Sequence, residues 1–498
     1  MDKYTLIDAY FKEHSLVEHQ LESYNDFVEN RLQKIVDEIG YVDTDIPEGF
    51  KVKFGKIKLG KPIIKEADGS IREITPMEAR IREITYSVPI YLEMTPIYGK
   101  EGEEREGETL DVYIGELPVM LGSKICLLYG KSEEEIIKMG EDPRDRFGYF
   151  IINGTEKVLI SQEDLIPNRI ICEKTEKSGK LVDVAKIFST RSGFRALCSL
   201  EKYPDGLIYA NFPGVTGSVP FVILMRALGA ETDREIIEAV NDERFVMEIL
   251  LNIQEIREEY NINTQEEALD FIGKKIVPNQ TKEKRIARAK SVLCNYLLPH
   301  LGNTEESFYK KIKFLGIMAR NVLELHFGYR TEDDKDHLAF KRVKLAGDLL
   351  EDLFRDAFSA LVKDMKYQLE RQCTRNKEPS IKAAVRGDLL TDRINSAMAT
   401  GTWIGGRTGV SQLLDRTSYL ATNSQLRRIV SPLSRSQPHF EARELHGTHW
   451  GKICPSETPE GQNCGLVKNF AIMAKITKKE DEKEVIEFLK SIEIMKFT

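Results

Sequence analysis

The residue types best suited to chemistry lie close together between Gly409 and Met473. His446, His449, Cys454 and Cys464 are donors of the kind that bind tetrahedral zinc, but their spacing, H-x2-H-x4-C-x9-C, lacks the CxxC knuckle of standard zinc sites. Glu457 and Glu460 stand three apart in the turn Ser-Glu-Thr-Pro-Glu-Gly (456–461), as carboxylates with no partner base in view. Arg427 and Arg428 are adjacent, and neighbours on extended chain point different ways, so at most one faces a given ligand. A guanidinium there suits either a backbone phosphate or a carboxylate. Arg435 and Arg443 bracket a polar, Pro-containing loop that no core requires. Asp333, Asp334, Asp336 and His337 form the densest acidic cluster and read as a solvated turn or, less simply, a metal set.

The chain contains no GxxxxGK[ST], GxSxG, HExxH or DxDxD, so a self-contained active centre of those kinds is excluded. Its 498 residues suggest two to four domains, and 41% apolar content is ordinary for a globular protein. No apolar run reaches 18 residues, and the first twenty residues have no secretory pattern. Seven cysteines at irregular spacing fit a reducing cytoplasm. A net charge of −8 argues against a protein that grips nucleic acid alone, because phosphate neutralisation needs a cationic excess. It leaves room for local basic residues contributed to a cleft that several chains build.

The positioning elements are mixed, and the fold class expected is a multidomain α/β mixture (α+β). Leu16, Leu21, Phe27, Leu32 and Ile35 recur at helical spacing within 15–38. Residues 50–64 alternate apolar and basic, as a half-buried strand does, and Asp68-Gly69 then signals a hairpin. Thr75-Pro76 opens a capped helix, 100–109 is a charged loop, and 116–130 reads as strand. Ser132 caps a short helix stopped by Gly140, and Asn153-Gly154 marks a second hairpin. Helical text dominates 219–342, and 343–370 is the clearest helix, with Leu345, Leu349, Leu353, Phe354, Phe358 and Leu361 on one face. From about 396 the chain becomes Gly- and Thr-rich, with loops and short strands, and the stretch 478–498 is charged and then amphipathic.

The 409–473 segment resembles the fork of the second-largest subunit (the beta-like or B subunit) of multisubunit DNA-directed RNA polymerases. The landmarks are Ser411-Gln412, Asp415, Arg427-Arg428, Leu445-His446, Thr448-His449-Trp450-Gly451 and Cys454-Pro455 through Gly465. Colinear similarity extends to LESYNDFVENRLQKIV (21–36), FGKIKLGKPIIKEADG (54–69), PMEARIREITYS (76–87), GELPVMLGSKIC (115–126) and GYFIINGTEKVLISQE (148–163). It continues through VPFVILMRALGA (219–230), EEALDFIG (266–273), DDKDHLAFKRVKLAG (333–347) and ATGTWIGGRTGVSQLLDR (399–416). The chain is similar to the N-terminal polypeptide of the split archaeal form.

The resemblance implies a protrusion over 1–190 and 343–395, an inserted lobe over 191–342, and the fork with the start of the following external region over 396–498. It implies DNA-templated RNA synthesis in the cytoplasm, by a multisubunit nucleotidyltransferase in which this chain alone is inactive. Catalytic Mg²⁺ would be held by the largest subunit and none by this chain. Partners would be the C-terminal B polypeptide (B prime), the pieces of the largest subunit, small assembly subunits, template DNA and the RNA–DNA hybrid, with no membrane. Gln412, Asp415, Arg427, Arg428, Arg435 and Arg443 would face nucleic acid, with Arg435 in fork loop 2 (433–443). Glu457 would lie near the incoming nucleotide, and His446, His449, Trp450 and Gly461 would be structural in the fork. The alternative is a stand-alone zinc-dependent nucleic-acid-binding protein using the His and Cys residues above.

Overall fold

Local turn chemistry sets the early elements. In a computed structural model, which describes residues 3–477 and 482–492 apart from 47–48, 67, 100–104, 178 and 376–377, Asp68 accepts from the Ser70 backbone N–H at 2.9 Å. Gly69 takes φ +85° and closes the hairpin of Ile63–Lys65 with Ile71–Glu73. Thr75 accepts from the Glu78 N–H and caps Pro76–Ile81, and Ser132 with Glu135 forms a capping box on Glu133–Lys138. Asn153 and Gly154 turn Phe150–Ile152 back onto Thr155–Leu159. The loop read at 100–109 and the terminal stretch 478–498 lie partly outside the described residues.

The fold is α+β and divides into two units, Met1–Asp164 with Val343–Thr498, and Leu165–Arg342. In the first, Tyr41–Asp43, Phe50–Leu59, Ser87–Tyr98 and Leu110–Pro118 form an antiparallel sheet. Phe50, Val52 and Phe54 face the core while Lys53, Lys56 and Lys58 are exposed. The long helix Ala346–Thr374 stacks Phe354 on Phe358, which in turn meet Phe27 and Phe54 at centroid distances of 6.4 and 5.6 Å. The helical text at 15–38 resolves into Glu18–Asp26 and Leu32–Ile39 joined by a π turn, Phe27–Arg31. Arg31 in that turn pairs with Asp26, Asp348 and Glu351 at 2.6, 2.5 and 3.1 Å.

One element departs from the sequence reading. The strand expected over 116–130 ends at Pro118, and the rest is a series of turns. Val119, Met120 and Leu121 are fully buried, with Leu121 bonded to the backbone of Tyr149 and Gly148. Gly122, at φ +78°, bends the chain away. An apolar run buried on all sides looks the same whether or not it joins a ladder.

In the second unit, Ile170–Lys177, Lys180–Arg191, Phe194–Lys202, Ile208–Asn211 and Val219–Pro220 form an antiparallel meander. The position 191 that the resemblance implies as the start of the lobe lies within strand Lys180–Arg191 of this sheet, and the compact unit begins at Leu165. Helix Phe221–Ala227 is buried throughout, which accounts for its uninterrupted apolar text. The acidic cluster is a structural turn: Asp333 accepts from Cys172 N–H at 2.8 Å and pairs with Arg330, while His337 Nδ1 accepts from Ala339 N–H. Lys311 is buried and donates to the Leu293 and Cys294 carbonyls at 2.8 and 3.0 Å, with burial pushing its pKa down to about 8.

A Cβ on Gly347 would sit 2.0 Å from the Ser23 carbonyl oxygen, so Gly347→Ala should lower stability by on the order of 2–4 kcal/mol in urea unfolding. An unchanged midpoint would mean that helix Glu18–Asp26 shifts freely. The His19 ring is sealed at Nε2 with no hydrogen-bond partner among the described residues, and burial, helped by the Arg427 charge, lowers its pKa from 6.5 to about 3. The unfolded chain therefore binds the extra proton, and stability is lost as pH falls from about 6.5 toward 3. His19→Asn should lose less stability than the parent between pH 7 and pH 4.5, and equal losses would clear His19 of the effect.

Candidate nucleic-acid interface

Two short strands and one helix carry the site. Ser411–Leu413 pairs antiparallel with Thr155–Leu159, placing Gln412 opposite Val158. Arg428–Val430 is held on both edges, parallel to Ser161–Leu165 and antiparallel to Val467–Asn469, with Arg428 opposite Asn469. Helix Tyr419–Leu426 bridges the two, capped by Ser418. Beneath this sheet the buried Lys468 ammonium meets Glu163 at 2.9 Å.

The adjacent arginines have opposite fates. Arg427 is 8% exposed, and its guanidinium donates to the carbonyls of Leu16 and Ala471 at 2.6 Å and Ile472 at 3.2 Å. It joins chain segments and faces backbone, not solvent. Arg428 is half-buried, its guanidinium in no ion pair among the described residues. Its charge helps hold the Asp415 carboxyl below the usual range, after the Thr417 hydroxyl and backbone N–H that bond that carboxylate. Gln412 donates to the Gly409 carbonyl at 3.0 Å.

The loop arginines divide in the same way. Arg435 is exposed and in no ion pair among the described residues. Arg443 donates to the carbonyls of Pro438, Gln462 and Cys464 at 2.7 Å, and of Arg435 and Gln437 at 3.3 Å. With five acceptors it staples the 433–443 loop to the 461–465 turn. Gly465 is the glycine that this closeness demands, because a Cβ there would lie 2.4 Å from the Arg443 carbonyl oxygen. Gly461, at φ +79°, has open space around its Cβ position.

His446 Nδ1 accepts from the Thr448 N–H at 3.2 Å, and His449 is buried with its ring 6.1 Å from that of His446. Trp450 follows and is 91% exposed. The zinc alternative fails on geometry: among the described residues no group of three or more His, Cys, Asp or Glu is arranged to hold an ion. Glu457 is exposed and accepts a hydrogen bond from the Ser424 hydroxyl.

Sequence reasoning missed a charged network behind the helix. Arg416 bonds Glu156, Asp145 and the Tyr149 hydroxyl at 2.7, 2.9 and 2.9 Å, and Arg80 reaches Glu156, Glu141 and the same hydroxyl at 3.0, 2.5 and 3.0 Å. Burial alone would raise the Glu156 carboxyl, but Arg416 and Arg80 outweigh it and lower it. The group borders a cleft of about 430 Å³. Its members lie up to 336 positions apart (416 − 80), so no local pattern could have joined them.

The profile of the RNA polymerase beta subunit matches residues 15–392, and that of RNA polymerase Rpb2 domain 3 matches 412–476. The chain is 77% identical over 489 residues to the DNA-directed RNA polymerase subunit Rpo2N of Methanocaldococcus jannaschii, covering 98% of each. It is 63% identical to the Rpo2N of Methanococcus vannielii over the full length of both. With subunit Rpo2 of Saccharolobus solfataricus it shares 48% identity over 95% of this chain and 42% of that one. The chain therefore belongs to the family of second-largest, beta-type subunits of DNA-directed RNA polymerase.

Proposed function

We propose that this chain is a subunit of a DNA-directed RNA polymerase, forming one side of the DNA cleft and the fork beside the active centre. The observation that carries the reading is the strand Arg428–Val430. It is locked on both edges, yet it holds one guanidinium outside any ion pair among the described residues. A rigid element with an unpaired cation suits a phosphate backbone. Arg428 and Arg435 are the proposed phosphate contacts, with Gln412 and Asp415 beside the hybrid. Arg427 and Arg443 are instead struts, since their donors are occupied by carbonyls.

In this reading the leading unit with the long helix is the protrusion, Leu165–Arg342 is the lobe, and the chain from about 396 is the fork. Mg²⁺ on the largest subunit would stabilise the attacking and leaving oxygens of nucleotidyl transfer. This chain's residues orient nucleic acid and shape the nucleotide pocket, with Glu457 at its rim. Trp450, Phe440 and Leu445 are exposed apolar side chains near the fork loops, and they suit cover by partner polypeptides such as the C-terminal B polypeptide, pieces of the largest subunit or small assembly subunits. Among the described residues no helix is long and apolar enough to cross a membrane, and we assign the assembled enzyme to the cytoplasm.

Arg428→Ala in the assembled enzyme should weaken elongation complexes and reduce the slope of log affinity against log salt by about 0.7–0.9, one phosphate contact. An unchanged slope would remove Arg428 from the interface. Arg427→Ala should instead cost on the order of 3 kcal/mol of stability, by leaving three carbonyls without their donor. Its salt slope should match that of the parent.

A further inference from the structure

We infer that Ser424 and Asn469 are positioning residues that pin the Glu457 carboxylate, an inference resting on the proposed place of Glu457 at the nucleotide pocket. The hydrogen bonds run in one direction. The Asn469 side-chain amide donates to Ser424 Oγ at 2.9 Å and to the Ser424 carbonyl at 3.3 Å. With a donor already on its oxygen, the Ser424 hydroxyl turns its one proton to Glu457 Oε1. Asn469 is buried at the end of strand Val467–Asn469, and Ser424 lies in the helix that leads into Arg428, so the pin is anchored at both ends by regular structure.

The backbone around Glu457 is held by the same strand. Cys454 N–H donates to the Asn469 carbonyl at 2.9 Å, and the Thr458 hydroxyl donates to the Val467 carbonyl at 2.9 Å while accepting from Gly465 N–H. The turn carrying Glu457 is thus fixed independently of its side chain. An exposed glutamate in such a turn would otherwise sample several rotamers. Here one hydroxyl selects the rotamer, and a hydrogen bond to a charged acceptor is stronger than one between neutral groups. The location of that negative charge is therefore a built feature of the fork. A carboxylate released from Ser424 would sweep the space beside an anionic triphosphate and oppose its binding.

Single-nucleotide incorporation by the assembled polymerase tests this with four chains: parent, Ser424→Ala, Glu457→Ala and the double variant. Ser424→Ala should raise KM for the nucleoside triphosphate roughly fivefold with kcat nearly unchanged, less than the full worth of a hydrogen bond to a charged group because water replaces part of it at the exposed carboxylate. Ser424→Thr, which keeps the hydroxyl, should restore the parent KM. In the Glu457→Ala background the Ser424→Ala effect should vanish. Additive effects, or a normal KM in Ser424→Ala while Glu457→Ala alters it, would overturn the pin. Normal kinetics in all variants would overturn it too, by moving Glu457 away from the nucleotide. Failure of the polymerase reading itself looks different: incorporation would then proceed without this chain.

Discussion

The candidate interface depends on one buried side-chain amide. Gln20 is 1% exposed, and its Nε2 lies within reach of the Leu159 carbonyl at 3.2 Å, Ser161 Oγ at 3.3 Å and the Leu426 carbonyl at 3.5 Å. Its Oε1 accepts from Ala346 N–H at 3.3 Å. The junction of the Thr155–Leu159 and Ser161–Leu165 strands, the end of the helix before Arg427, and the start of the long helix all meet there. Backbone groups sealed from water lose far more when unpaired than they gain in water-exposed bonds, so the junction tolerates few alternatives. Arg427, next along from Leu426, extends it to Leu16 and Ala471. The position of Arg428 is thus set by segments from both ends of the sequence.

This explains how an acidic chain can serve a nucleic-acid cleft. Many of its cations are paired internally, as Arg31, Arg80, Lys186, Arg355 and Arg416 are. They build shape and cancel locally. The proposed function then rests on two cations at defined places that form no ion pair among the described residues, Arg428 on a locked strand and Arg435 on a stapled loop. A net charge of −8 describes the sum and not those places.

What was legible in the sequence was local. Asp68-Gly69, Thr75-Pro76, Ser132 and Asn153-Gly154 act through bonds within a few residues, and each forms the turn or cap its chemistry demands. The long helix is legible because its apolar stripe repeats along most of its 29 residues, from Ala346 to Leu369. The buried turns after Pro118 are not, because apolar content reports burial and not pairing. In the candidate interface, adjacency implies that Arg427 and Arg428 point apart, but their roles turn on the carbonyls of Leu16 and Ala471, far away in sequence. The same distance hid Arg416, Ser424 and Asn469, ordinary residues until the fold brings their partners to them.

A DNA-directed RNA polymerase is proposed to need this chain as one wall of its active centre. The most direct measurement is Mg²⁺-dependent primer extension on an RNA–DNA scaffold, using the remaining subunits reconstituted with and without this chain. The account predicts extension only when the chain is present, and none from the chain by itself. Equal extension in its absence would contradict it.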